Sequence, residues 1–350
     1  MSALAIAASV SDRQNPWRRA ARATWILHRG ALVVIAAVSI AVLVGIVGGG
    51  IGVQGTYSHF LAERCVSAPG SGSCPRLAVA ITGNNTAVSD LSIVLHVLPV
   101  LVGVFLGAPL VARELESGSF RFTWTQGLGR KGFELRRVGL LALATVALSV
   151  VLGLLLGWYA HPVEVVGAQS QWDAGLFNST ALVLPAWTLF AFAVGTLLGF
   201  LVGRSVGAMA ATAAVVGGVV VAALTVLHDH LLQIAAIAAH PRTTGLEWGT
   251  LNRASLARQG PKGSWLVKAW ITNPHGHVLG TTSIFTLMRH MPKSASADPP
   301  AWLTSLHYGY WISYQPADRF WMFQCIAAGV LVVLAIVVLF ALSRLMGNRG

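Results

Sequence analysis

Six apolar runs punctuate the chain, each long enough to cross a bilayer as a helix. They lie at Ala31–Val53, Asp90–Ala112, Val138–Trp158, Ala181–Gly203, Ser205–Leu227 and Met322–Ser343. A hydrocarbon core of about 30 Å takes about 20 helical residues. Only GRSVG separates the fourth run from the fifth. One straight helix over both would extend about 70 Å, more than twice the core, so the chain must turn back near Arg204.

The polar stretches complete the layout. Residues 12–29, DRQNPWRRAARATWILHR, predict a helix after Pro16. Trp17, Ala21 and Trp25 form one stripe, and Arg18, Arg22 and Arg29 form the next. Such a helix suits the inner membrane surface. The expected organisation is an interfacial helix over 1–30 and spans one to five over 31–227, with a charged connection at 113–137. An outer segment follows over 228–321, then span six and a tail over 322–350. The fold class is an all-α integral membrane protein with six transmembrane helices, the outer segment being partly helical.

Composition agrees. Hydrophobic residues make up 55% and charged residues 10%, far below the roughly 25% of a soluble domain. The net charge of +12 would suggest nucleic acid in a soluble protein. Here the basic residues flank apolar runs, so they report topology, and no nucleic-acid signature accompanies them. The N-terminus, the 113–137 connection, Arg204 and the C-terminal tail together hold 14 Lys and Arg. The opposite short loops hold only Arg64 and Arg76. Both termini are therefore expected on the cytoplasmic side of the cell membrane. Trp302, Tyr308, Tyr310, Trp311, Tyr314, Phe320 and Trp321 then gather at the outer edge of span six.

Cys65 and Cys74 bracket the loop CVSAPGSGSC. The orientation puts that loop outside, where disulfides persist, and its Pro, Gly and Ser content lets it close. A Cys65–Cys74 disulfide is predicted. Cys325 lies in an apolar run and reads as inert. His228, His230, His240, His275, His277, His290 and His307 make the outer segment histidine-rich, but their spacing reads as scattered, with no metal site. Asn84 and Asn178 stand in Asn-x-Thr sequons. The Gly pair of AAVVGGVVVAA in span five would permit close helix packing.

Deep within the spans the one ionisable side chain is His96, with Pro99 three residues on. Ion-driven transporters and intramembrane enzymes place acids, paired bases or metal ligands there. A lone histidine reads first as a packing residue. No G-x-x-x-x-G-K-[ST] phosphate loop occurs in the chain. The chain is thus passive or driven by a partner, and no catalytic residue is expected in it. His96 in span two with Thr212 and Thr225 in span five are candidates for a substrate pathway, because polar positions there are sparse.

The charged connection is the natural docking surface. Arg113, Glu114, Glu116, Arg121, Arg130, Lys131, Glu134, Arg136 and Arg137 fall within 25 residues. Span two is expected to continue through VARELE and stop at Gly118. Ser119 can cap a short helix with Phe120 and Trp124 on one face at i, i+4.

Here the chain resembles the permease subunit of ABC-2 type ABC transporters, in ARELESGSFRFTWTQGLGRKG and in the layout of the whole chain. Family members carry an R-E-x-E-x-G-[TS] run after span two. Arg113, Glu114, Glu116, Gly118 and Ser119 match it, while Leu115 stands where a Lys is frequent. YQPADRFWMFQ, Tyr314–Gln324, resembles the entry to the last span in actinobacterial permeases of this class.

The resemblance implies a crosswise coupling helix resting in a separate cytosolic ATPase, with Arg113, Glu114, Glu116, Gly118, Ser119, Phe120 and Trp124 at the contact. It implies a second permease copy or homologue, lipid surroundings, and Mg-ATP bound on the partner with no cofactor in this chain. The function so implied is the membrane half of an ATP-driven exporter. The alternative is a non-transporting membrane component of an ATPase-linked sensing or envelope-remodelling complex.

Overall fold

A computed structural model describes residues 16–116, 129–233, 237–239, 263–280, 286–287, 289–295, 302–303 and 305–348. Six helices in it are long and apolar enough to cross a membrane. They are span one (Arg29–Ala62), span two (Cys74–Glu116), span three (Val138–Val165), span four (Val183–Val202), span five (Ser205–Leu227) and span six (Ala317–Met346). The sequence pattern located all six. It set several ends too short, because the helices run on into polar residues that hydropathy alone does not assign.

The helix expected after Pro16 is present and continues without a break into span one, over Pro16–Ala62. Gly30 is the one weak helix former at the expected junction. A lone glycine costs a helix only about 1 kcal/mol relative to alanine and does not stop it. The helix of span three likewise begins ahead of the span, at Gly129, and passes Pro162 before ending at Val165.

The chain divides into two compact units. The first comprises Met1–Val166, Ala174–Leu224 and Gln324–Gly350. Span four is its axis. Nearly every side chain from Val183 to Thr196 is buried, and spans two, three and five pack around it. Span one packs on span three. The Trp158 ring lies over Gly50, where a Cβ would overlap it. The Gln54 side-chain amide then donates to the Trp158 carbonyl (2.8 Å). The other faces of spans one, five and six stay exposed and apolar, with Ile40, Val44, Val206, Val221, Val333 and Phe340 among them. Such faces suit lipid, where exposed apolar area carries no penalty.

The disulfide expected between Cys65 and Cys74 is formed, with Cα atoms 5.3 Å apart. Both cysteines are buried. The bond ties the end of span one to the first residue of span two. Beside it the Ser73 hydroxyl donates to the Glu63 carboxylate.

The second unit comprises Gly167–Asp173 and Thr225–Phe323. It is partly helical, with His228–Gln233 a short helix, and it also holds a three-stranded antiparallel sheet. The strands are β1 (Ile237–Ala239), β2 (Trp265–Thr272) and β3 (Gly309–Gln315), in the order β1-β3-β2. Trp270 is paired with Trp311 in the register of β2 and β3, which shifts between Leu266 and Lys268. WLVKAWIT and GYWISYQ are rich in aromatic and β-branched residues, which pack well on a pleated surface. Tyr310, Trp311 and Tyr314 are therefore strand residues. Trp172 is fully buried in this unit. Its ring meets Phe320 and Phe323 edge-on (5.3 and 5.8 Å between centroids). Its indole N–H donates to the Gly263 carbonyl (3.0 Å). His228 Nε2 donates to the Trp172 carbonyl (2.7 Å).

Candidate functional site

Span two reaches the charged motif as a helix. Ala108–Glu116 continues it past the last buried apolar residue, Ala112. Arg113 and Glu116 are exposed and Glu114 is half-buried. Facing this end is the turn between spans four and five. Gly203 adopts the left-handed conformation (φ +65°) and its N–H closes on the Gly199 carbonyl. Arg204 is extended, and Ser205 opens span five. The reversal expected near Arg204 thus takes only two residues.

Glu116 joins the two ends. Its carboxylate accepts the Ser205 N–H (3.2 Å) and the Ser205 hydroxyl (2.6 Å). The first N–H groups of any helix lack intrahelical acceptors, and a carboxylate there also meets the positive end of the helix dipole. Arg204 and Arg113 add their charges around the same carboxylate. The sequence motif singled out Glu116 for an outside partner; the structure gives it an internal one as well. Gly118, Ser119, Phe120 and Trp124, with the expected coupling helix, lie outside the described residues. The next described helix begins at Gly129 and leads into span three.

Deeper in the bundle, spans two and four cross backbone to backbone. Pro99 interrupts the hydrogen-bond ladder of span two, and residues Gly103–Gly107 form a π turn. Two G-x-x-x-G steps meet at this point. A Cβ at Gly103 would lie 2.7 Å from the Ala191 carbonyl oxygen, and one at Gly107 would lie 2.7 Å from that of Phe192. A Cβ at Gly195 would overlap the Gly103 carbonyl, and one at Gly199 would overlap that of Ala108. Small residues permit such approach in membranes, where packing rather than apolar burial joins helices. The glycine pair in span five, Gly217 and Gly218, has open space instead.

Farther along span two lies a buried polar layer. The short helix Ala174–Asn178 leads into span four through Ser179 and Thr180. Gln324, fully buried on span six, holds this lead-in. Its amide donates to the Phe177 carbonyl (2.9 Å) and its carbonyl oxygen accepts the Thr180 hydroxyl (2.5 Å). The Asn178 amide donates to the Ala174 carbonyl (2.9 Å), while its oxygen accepts the Trp187 indole N–H (3.1 Å). Buried and so engaged, Asn178 is no accessible sequon. Ser149 and Thr188 share a hydrogen bond between spans three and four (2.7 Å).

The candidate pathway residues differ in their surroundings. His96 is buried, with Nδ1 2.6 Å from the Ser92 carbonyl oxygen. Thr212 is fully buried beside Gly103, and its hydroxyl turns back to the Ala208 carbonyl (2.7 Å). Thr225 is exposed in a π turn, Ala223–Leu227. Among the described residues, Glu63, Cys65 and Cys74 bring three metal-ligand atoms together, but the two sulfurs are bonded to each other.

Sequence reading missed Gln324 as a structural clamp and the glycines at the crossing of spans two and four. The sequence did contain signals: Gln324 closes the Tyr314–Gln324 block, and GVFLG and GTLLG are both G-x-x-x-G.

Residues 32–228 match the family described as "ABC-2 membrane transporter related". That match covers more than half of the chain, which belongs to this family. Neither a curated protein nor a solved structure matches the chain. The protein is a multi-pass membrane component of the ABC-2 transporter type, and the matched region includes spans one to five together with the charged motif.

Proposed function

We propose that this chain is the permease subunit of an ATP-driven exporter in the cytoplasmic membrane, with both termini in the cytoplasm. A separate cytosolic ATPase docks on the 113–137 segment and binds the Mg-ATP. The permease pairs with a second copy or a homologue. The chain itself hydrolyses nothing; it converts movement of its partner into rearrangement of its spans.

One observation supports this reading above the others: Arg113, Glu114 and Glu116 stand on a helical extension of span two, and Glu116 joins it to the first turn of span five. A load applied at Arg113–Glu116 would act on both spans at once. His96 and Thr212 are proposed to line the route of the cargo, with Thr225 a further polar position on span five.

The test is a pull-down of the protein from native membranes. An ABC ATPase should co-purify, and the reconstituted pair should hydrolyse ATP faster when its cargo is added. Recovery of the permease with no ATPase would contradict the proposal. The rival function, sensing or envelope work without transport, draws on the separate compact unit built around Trp172. It predicts an ATPase partner but no cargo movement in vesicles.

A further inference from the structure

We propose that His96 is a ligand-binding residue whose Nε2 accepts a hydrogen bond from an amphipathic molecule carrying a hydroxyl or an uncharged N–H. The ring is held in one tautomer. Nδ1 lies 2.6 Å from the Ser92 carbonyl oxygen, and a carbonyl can only accept, so the proton sits on Nδ1. Nε2 is left with a lone pair. That nitrogen is buried and has no hydrogen-bond partner among the described residues. The Ser92 carbonyl also accepts the Ser179 hydroxyl (3.2 Å), which fixes the carbonyl against the lead-in to span four and hence fixes the ring.

Pro99 has no N–H, so it cannot give the Leu95 carbonyl beside His96 the usual helical hydrogen bond. Buried polar groups are ordinarily paired, and an unpaired one calls for a missing partner. The missing partner must be a donor. His96 lies about 9 Å along the helix inward from Asp90, among the buried apolar residues Leu95, Leu98 and Val102. No Asp or Glu lies in span two between Asp90 and Glu114 to neutralise a bare cation. The fitting ligand has an apolar body and one O–H or N–H.

The inference rests on the permease reading only for calling that ligand a cargo; binding itself requires no ATPase. The experiment therefore uses the full chain alone, labelled with 15N-histidine, in lipid nanodiscs. A difference spectrum against His96→Asn assigns the His96 signals among the eleven histidines. Asparagine can still reach the Ser92 carbonyl but offers nothing at the Nε2 position, and gel filtration confirms that the variant is folded. Dodecanol supplies an apolar body with a donor; dodecyl methyl ether supplies the body without one. The expected result is an unprotonated Nε2 signal that shifts with dodecanol and not with the ether, while Nδ1 stays in place. Three results would overturn the proposal: no shift with either probe, equal shifts with both, or an Nε2 already hydrogen-bonded to trapped water and indifferent to dodecanol. Failure here would leave the ATPase pull-down unaffected, so the two readings fall separately.

Discussion

Glu116 accepts both the backbone N–H and the hydroxyl of Ser205, so a residue of the charged motif after span two serves as an acceptor for the first turn of span five. Two helices 89 positions apart in sequence share one carboxylate. Glu116→Gln should keep one weaker acceptor and Ser205→Ala should remove the hydroxyl donor. Each should lower the melting temperature of the detergent-solubilised protein. The double variant should lose less than the sum, because both changes break one contact. Strict additivity in such a cycle would show that the pair does not interact in the membrane protein.

The crossing of spans two and four should tolerate no side chain. Gly195→Ala would drive a Cβ into the Gly103 carbonyl, and overpacking of this kind costs roughly 1–3 kcal/mol. Gly217→Ala and Gly218→Ala meet open space and should hold or raise the melting temperature of the single chain, alanine being the better helix former by about 1 kcal/mol. Thermal unfolding of the three variants followed by circular dichroism separates them. Equal behaviour of all three would show that the close crossing is not formed.

Gln324→Leu should loosen the lead-in to span four. It removes the hydrogen bonds to Phe177 and Thr180. Hydrogen bonds between membrane helices average about 0.6 kcal/mol, with a maximum near 1.7. The two together should cost about 1–2 kcal/mol in unfolding by denaturant. Thr180→Val should cost less, because the amide bond to Phe177 survives.

The Cys65–Cys74 link should stabilise the first unit by somewhat under about 3 kcal/mol, the chain-entropy figure for a loop slightly longer than this one. A Cys65→Ala, Cys74→Ala protein should unfold at correspondingly lower denaturant. Non-reducing peptide mass spectrometry of the parent should find the bonded pair and one free thiol, that of Cys325.

Much of the fold was legible in the sequence, because a bilayer demands long uninterrupted apolar runs and backbone groups paired within each helix. That demand is local, and it located all six spans and the turn at Arg204. The cysteine loop was legible for the same reason, its two ends being close in sequence. The sheet holding Trp270 and Trp311 was not legible. Its strands are short and lie far apart in the chain, and the aromatic residues of β3 look equally like a membrane-edge belt. The roles of Gln324 and Gly195 were hidden because each depends on what stands opposite it in three dimensions. Glu116 was legible as important, but its bond to Ser205 joins positions that no local pattern connects.

The central claim is that the segment after span two couples this protein to an ATPase, and charge reversal tests it most directly. Exposed ion pairs contribute about 0–1 kcal/mol, whereas an unpaired charge buried at an interface costs roughly 2–5 kcal/mol. Glu114→Arg and Glu116→Arg should still insert as full-length protein but lose the ATPase, or lose cargo-stimulated hydrolysis, by a factor of tens to thousands in affinity. Trp124→Ala should weaken docking where that ring anchors the contact. Ser205→Ala is the control: it disturbs the Glu116 contact without reversing a charge and should retain the partner. The measurement is co-purification of the ATPase with each variant, followed by ATP hydrolysis of the reconstituted pair. Loss with both reversals and retention with Ser205→Ala is the predicted result. Undiminished binding and stimulation in both charge-reversal variants would contradict the coupling role of this segment.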